Sequence, residues 1–241
     1  MILKQPEMQI NIGADSTQLT ITHKDGTKES KPVDIGELSI ALASNVEHNF
    51  GLLPRGVRDI SQKGPNIVAV IEVPGRQHDL QYGRKVLRGC NLPTAIFMLR
   101  LFKKADGRLS IGDTNLFALR QQHVSLATDS LFHYPAPNVY PDSHRVCWGN
   151  ALEGISTIKS LSALTSICLR YFSAPFNSDL FRAGDLSNAF PWSETDKDVA
   201  LVEGYFSFIR DQPFDNTWLR PALPAYSNYG KALTAIKGGD F

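Results

Sequence analysis

The chain has 241 residues, 42% of them hydrophobic and 20% charged, with a formal net charge of +1. That length can bury a sizeable core, and the near-neutral charge, with no basic run longer than Lys103-Lys104, speaks against nucleic acid as the main partner. No apolar run suits a membrane span and Met1-Ile2-Leu3-Lys4 opens no signal peptide, so no membrane partner is expected and the compartment expected is the cytoplasm.

Residues 8–34 alternate polar and apolar, as in Gln9-Ile10-Asn11-Ile12 and Gln18-Leu19-Thr20-Ile21. Turn signals at Gly13-Ala14-Asp15 and Asp25-Gly26-Thr27 make this a small antiparallel meander. Asp34 can cap a helix over 35–45, with Leu38, Ile40, Ala41 and Leu42 as its apolar positions. The glycines and prolines of 50–65 read as a loop or linker.

From 66 to 120 the pattern is again that of strands. Asn66–Val73 is β-branched and closed by Pro74-Gly75, Gln77–Leu87 is a weaker and more polar candidate, and Thr94–Phe102 is nearly all apolar, as a strand covered on both faces would be. Ala105-Asp106-Gly107-Arg108 is a hairpin turn, and Leu109–Leu119 returns with an interruption at Gly112-Asp113. Four successive strands with short connections predict one antiparallel meander, backed by a helix over 153–172.

That helix follows from Ile155, Ile158, Leu161, Leu164, Cys168 and Tyr171, which repeat at steps of three or four and form one stripe. Ser193-Glu194-Thr195-Asp196 is a capping box for a second helix carrying Val199, Val202, Phe206 and Ile209. The tail from Pro213 is expected to be irregular, with a short helix near 230–236. The fold class is α+β. The divisions expected are a β-rich and helical extension over 1–60, a core over 61–185, and a helix and coil over 186–241.

The cysteines are Cys90, Cys147 and Cys168. An odd, widely spaced set is not a disulfide framework, and without a C-x-x-C pair a structural zinc site has no ligand set. Cys168 belongs to the helix stripe and reads as core. Cys90 follows Gly89 in what reads as a turn, which makes it a free surface thiol.

Cys147 stands in a different setting. Ala136-Pro137-Asn138-Val139-Tyr140-Pro141 precedes Val146-Cys147-Trp148-Gly149, so an Asn lies nine positions before the Cys in a segment rich in Pro and aromatic residues. A thiolate can carry an acyl group, and a nearby amide N–H can stabilise the oxyanion as an amine attacks. The plainer readings are a half-buried loop thiol and an Asx-type turn after Pro137.

A helix, a four-stranded meander, a Pro-Asn-Val-Tyr-Pro loop, a Cys shortly after it and then helices resemble the layout of ubiquitin-conjugating enzymes. There the loop typically reads His-Pro-Asn-Val/Ile, with the catalytic Cys eight positions after the Asn. Here Ala136 stands in place of the His, one residue is added, and Ser143-His144 replace the usual Gly of the intervening turn. Leu92–Phe97, Ala136–Asn138, Val146–Asn150 and Tyr171–Asn177 resemble prokaryotic ubiquitin-conjugating-like family D, which includes the PRTRC system protein B-like proteins.

That resemblance implies an acyltransferase in a ubiquitin-like relay. A ThiF-like adenylating enzyme would supply a ubiquitin-like modifier, Cys147 would hold it as a thioester, and an amine on a target protein would receive it. Asn138 would steady the loop and the oxyanion, and no cofactor would be needed because ATP is consumed upstream. A rival is a binding module that keeps the fold and lacks catalysis. A cysteine peptidase pairing Cys147 with His133 or His144 is a third.

The neighbours of Cys147 each have two readings. His144 and Arg145 either favour the thiolate or are solvated loop residues. Asp142 either orients and deprotonates an incoming amine or is a solvated turn carboxylate. Trp148 is expected to wall the site where a substrate binds. His133 either replaces the missing His in part or packs beside Phe132 and Tyr134.

Overall fold

The structure, a computed structural model, describes residues 7–12, 17–34, 53–63, 66–104, 107–155, 157–158, 160–180 and 199–238. The chain divides into two compact units, residues 1–49 and residues 50–241.

In the first unit β1 (Glu7–Ile12), β2 (Thr17–Thr22) and β3 (Lys28–Val33) form the expected antiparallel meander. Asp25 closes the second turn by accepting hydrogen bonds from the Thr27 N–H (2.9 Å) and hydroxyl (2.6 Å). Gly26 supplies the left-handed φ of +87° there. The turn at 13–15 and the helix expected over 35–45 lie outside the described residues.

The second unit is α+β. Its main sheet is antiparallel, in the order β10-β9-β8-β5-β4, from β4 (Val57–Lys63), β5 (Asn66–Val73), β8 (Thr94–Lys103), β9 (Leu109–Leu119) and β10 (Phe132–His133). β4 falls where a loop or linker was expected and crosses position 60. As a sheet-edge strand carrying Arg58, Asp59, Ser61 and Gln62, it lacks the apolar density that marks β5 and β8.

The alternation of β5 and β8 sorts their side chains onto two faces. Ile67, Ala69, Ile71, Phe97 and Leu99 enter the larger core beneath helix α1 (Ala163–Ser173). Val68, Val70, Ile96 and Met98 enter a second cluster with Ala232 and Ile236 of α3 (Tyr229–Gly238). The interruption read at Gly112-Asp113 is a β-bulge, since the pairing steps from Leu99↔Thr114 to Leu101↔Ile111.

The expected four-strand order is corrected at its second member. β5 pairs directly with β8, and the polar stretch between them is a separate hairpin, β6 (Arg76–Tyr82) and β7 (Lys85–Leu92), turning at Gly83. Arg76, Gln77, Asp79, Lys85 and Arg88 are exposed, so these strands cannot lie inside a sheet covered on both faces. β11 (Pro175–Phe176) joins the hairpin in parallel with β6, and α2 (Val199–Arg210) packs on β7.

Cys90 is therefore no surface thiol. It is fully buried in β7, its Sγ 3.5 Å from the Phe206 carbonyl oxygen, and burial pushes the thiol up to about 11. The turn signal came from Gly89, whose left-handed φ of +70° accompanies a bulge in β7, where Arg88 and Gly89 oppose Asp79.

The helix expected over 153–172 begins only at Ala163. Gly154, at a left-handed φ of +78°, follows a run of turns, and Ile158 bridges to Leu109 with paired backbone hydrogen bonds of 2.6 and 3.1 Å. Leu164, Ile167, Cys168 and Tyr171 do form the buried stripe of α1. The capping box at 193–196 lies outside the described residues, but Val202, Phe206 and Ile209 of its helix are buried. The tail's short helix is α3, preceded by 3-10 turns at Asn216–Trp218 and Pro224–Tyr226. Among the described residues no helix is long and apolar enough to cross a membrane.

Candidate functional site

Three prolines, Pro135, Pro137 and Pro141, punctuate the segment after β10 and remove three backbone donors. Two carbonyls there accept from buried tyrosines: the Tyr205 hydroxyl donates to Pro135 O (2.8 Å) and the Tyr171 hydroxyl to Pro137 O (2.5 Å). Burial pushes both phenols far up, so they remain donors. The loop is thus fixed to α1 and α2 just before Asn138.

Asn138 opens a tight hairpin. Its carbonyl accepts from the Cys147 N–H (2.7 Å), Val139 bridges to Val146, and the Tyr140 N–H donates to Arg145 O (2.8 Å). Asn138 and Cys147 are therefore opposed residues, and the nine-position spacing follows from the length of the turn. Two residues sit in the left-handed region, Asn138 at φ 63° and His144 at φ 56°. Asn enters that region at little cost, and His144 takes the position where a Gly was expected. The returning arm joins the main sheet: the Val146 N–H donates to Thr114 O (2.7 Å) and the Leu116 N–H to His144 O (2.8 Å).

Asn138 and Cys147 line one cleft of about 660 Å³, with Trp148, Arg170, Ser173 and Asn177 among its other walls. That volume suits a ligand or an extended peptide end. The Asn138 Nδ2 makes a long contact to Pro175 O (3.4 Å), which leaves its second N–H for another acceptor. Trp148 packs between Phe97 and Tyr171, with ring centroids 6.5 and 6.4 Å away, and lines the cleft.

The structure separates the other candidates from Cys147. Asp142 is exposed at the hairpin tip, where it accepts from the Ser143 hydroxyl (3.2 Å), and it does not line the cleft. Arg145 turns to Asp113 (3.5 Å) and the Tyr140 ring. His144 is wholly buried on the far side, against Phe117, His133 and Tyr226. Burial and the neighbouring His133 hold its imidazole down to about 3, so it is neutral and cannot stabilise a thiolate. Neither His133 nor His144 lines the cleft, which removes the pairing a cysteine peptidase would need.

Arg170, Ser173 and Asn150 line the cleft and were not singled out from the sequence. Arg170 and Ser173 lie on the polar side of the helix stripe, a pattern shared by solvated helix faces generally. Only the fold of residues 147–151 back onto α1 gives them a common address, through the Arg170 guanidinium and Ala151 O (3.4 Å).

The three thiols differ sharply in access. Cys147 is half-buried, Cys90 and Cys168 are fully buried, and burial pushes the Cys168 thiol far up. Iodoacetamide should therefore label Cys147 first in the native protein, and the other two only on denaturation. Mass mapping that finds Cys168 or Cys90 labelled ahead of Cys147 would contradict this arrangement.

Among the described residues no three His, Cys, Asp or Glu side chains are placed to hold a metal ion. No protein-family model matches the chain, and neither a curated protein nor a solved structure matches it significantly.

Proposed function

We propose that the chain is a ubiquitin-like conjugating enzyme, which carries a ubiquitin-like modifier as a thioester on Cys147 and passes it to an amine. The observation that carries this reading is the opposition of Asn138 and Cys147 across one hairpin, both facing the same cleft. In charging, the Cys147 thiolate attacks the thioester carbonyl held on the activating enzyme and expels that enzyme's thiolate. In discharge, an amine attacks the new thioester, Cys147 leaves as thiolate, and the amine gives up a proton. Discharge, where the resemblance mainly places the Asn, passes through an oxyanion that an Asn138 N–H can stabilise.

Two departures from the ubiquitin-conjugating pattern are compatible with it. Ala136, where that family has His, is buried, and the carbonyls on either side of it are held by Tyr205 and Tyr171, so the loop is braced without an imidazole. The added residue is taken up in the turn that His144 closes. The β6–β7 hairpin stands as an insertion between the second and third strands of an antiparallel four-strand order, β4-β5-β8-β9.

The rival, a module that binds the modifier or its activating enzyme without accepting a thioester, is favoured by the distance of His144 and Arg145 from the cleft. One experiment separates the two. The protein is mixed with a ubiquitin-like protein and an adenylating enzyme encoded beside it, and ATP, then run on a non-reducing gel. An enzyme gives an adduct that thiols cleave, and Cys147→Ser abolishes it, leaving at most an ester that survives reductant. A binding module gives no covalent adduct. A thiol-sensitive adduct that persists in Cys147→Ala would assign the acyl group to a different cysteine.

A further inference from the structure

A second concavity, of about 400 Å³, lies where β5 and β9 end and β8 begins. Its walls come from the Pro74–Arg76 segment, the Asn91–Thr94 corner, the segment from Leu119 to His123, and Pro213, Phe214 and Asn216 after α2. The floor is closely built. A Cβ on Gly75 would sit 2.9 Å from the Thr94 backbone N, so only Gly fits there. The Gly75 N–H donates to the Thr94 hydroxyl (3.1 Å), which contacts Gln122 O at 3.4 Å.

Three basic side chains meet in this cleft: Arg76, Arg120 and His123. None of the described residues lining it is an Asp or Glu. Arg120 lies over the Phe132 ring, 4.4 Å from its centroid, and reaches Leu219 O only at 3.4 Å. His123 is positioned from behind by Glu72, whose side chain is 1% exposed. Glu72 Oε1 contacts His123 Nδ1 and Arg58 Nη2, each at 2.5 Å, and Oε2 accepts from the Val124 N–H at 3.0 Å. Arg58 Nη2 lies 2.8 Å from the same Nδ1, so both neighbours engage that nitrogen, and Nε2 is the one left to a ligand.

We propose that this cleft binds a phosphate group, delivered as inorganic phosphate or on a small phosphate monoester. Among the described residues neither Arg76 nor Arg120 has an ion-pair partner, so their charges repel one another, whereas an anion between them gains from both, and His123 adds a further polar contact. A phosphate has more oxygens to share between two guanidiniums and an imidazole than a carboxylate has. Phe214, half-buried in the wall, gives the organic part of a monoester an apolar surface. This site stands apart from the Cys147 cleft, with which it shares no lining residue.

The test is calorimetric titration of the full chain with inorganic phosphate, AMP and adenosine, on the wild type and on Arg76→Gln, His123→Gln and Cys147→Ala. The anion should bind saturably, adenosine should not, and added salt should weaken the binding. Arg76→Gln and His123→Gln should each weaken it by about tenfold, while Cys147→Ala leaves it unchanged. AMP binding more tightly than phosphate points to the monoester, and equal affinities point to free phosphate. Arg76 and His123 are exposed, so both variants are expected to fold, and matching thermal melts would establish that. Absence of saturable binding to the wild type, adenosine binding as well as AMP, or unchanged affinity in both variants would overturn the proposal.

Discussion

The folded protein should lose stability steeply as the pH drops from about 7 to about 5, well above the range where carboxylates titrate. The cause is buried imidazole. His144 is wholly buried, and its Nε2 accepts the Leu223 N–H at 3.3 Å. Burial and His133 hold its folded-state value at about 3, against 6.5 ordinarily. A proton on Nε2 would also set two donors face to face.

The sign follows from the depressed value. The unfolded chain takes up this proton below 6.5 and the folded chain does not until about 3. The contribution is thus complete above 6.5 and is lost as the pH falls toward the folded value. At pH 5 the loss from His144 alone is about 2 kcal/mol. His78, buried and stacked on Phe172 at 4.0 Å, adds a loss in the same direction, because burial and Arg76 hold it at about 4.

Glu72 acts in a lower window. Burial pushes its carboxyl up, but hydrogen bonds from Arg58, His123 and the Val124 N–H outweigh that and hold it below its usual range. Its contribution is lost only as the pH falls through that depressed value. Urea titrations at several pH values should resolve the two windows. His144→Asn, which tolerates a left-handed backbone, should lower stability throughout but reduce the drop between pH 7 and pH 5 by about 2 kcal/mol. An unchanged drop in that variant would remove His144 as its source.

The burial of His144 also shows what sequence reading could and could not reach. Alternation and apolar density identified β1–β2, β5, β8 and β9, because period-two patterning is imposed directly by burial on one or both faces. β4 and the β6–β7 hairpin were misread because their polar, partly exposed strands carry little of that signal. The start of α1 was misplaced because Ile155 and Ile158 keep a helical spacing while packing as turn and bridge. Spacing alone cannot tell a residue that packs on the core from a helix from one that does so from a loop.

At the candidate site, the pairing of Asn138 with Cys147 was legible because hairpin partners are near in sequence. The side of the hairpin on which each side chain falls was not. His144 and Cys147 are only three residues apart, yet one packs against Phe117 and Tyr226 and the other lines the cleft. The Glu72–His123 contact spans 51 positions and depends on β5 ending beside the segment after β9. No local pattern records it.

Replacing Asn138 should separate the two acyl transfers proposed for Cys147, and the backbone decides which replacement is informative. At φ 63° an Ala would carry left-handed strain of roughly 1–2 kcal/mol, mixing a folding defect with a chemical one. Asn138→Gly keeps the turn and the Cys147 N–H to Asn138 O hydrogen bond, and removes only the side chain. Losing one oxyanion donor costs about 2.7–4 kcal/mol in transition-state stabilisation, or roughly a hundred- to a thousand-fold in rate. Asn138→Asp keeps the shape but turns a donor into an acceptor and sets a negative charge beside the developing one, so it should be at least as slow. Single-turnover discharge to free lysine, measured after the activating enzyme is quenched, reads the second transfer alone. Both variants are expected to charge at Cys147 and to discharge slowly. If both discharge at the wild-type rate, the Asn138 amide has no part in the chemistry. If charging and discharge fall together with the melting temperature, the side chain acts as a brace to Pro175 O, and its 3.4 Å contact there is its role.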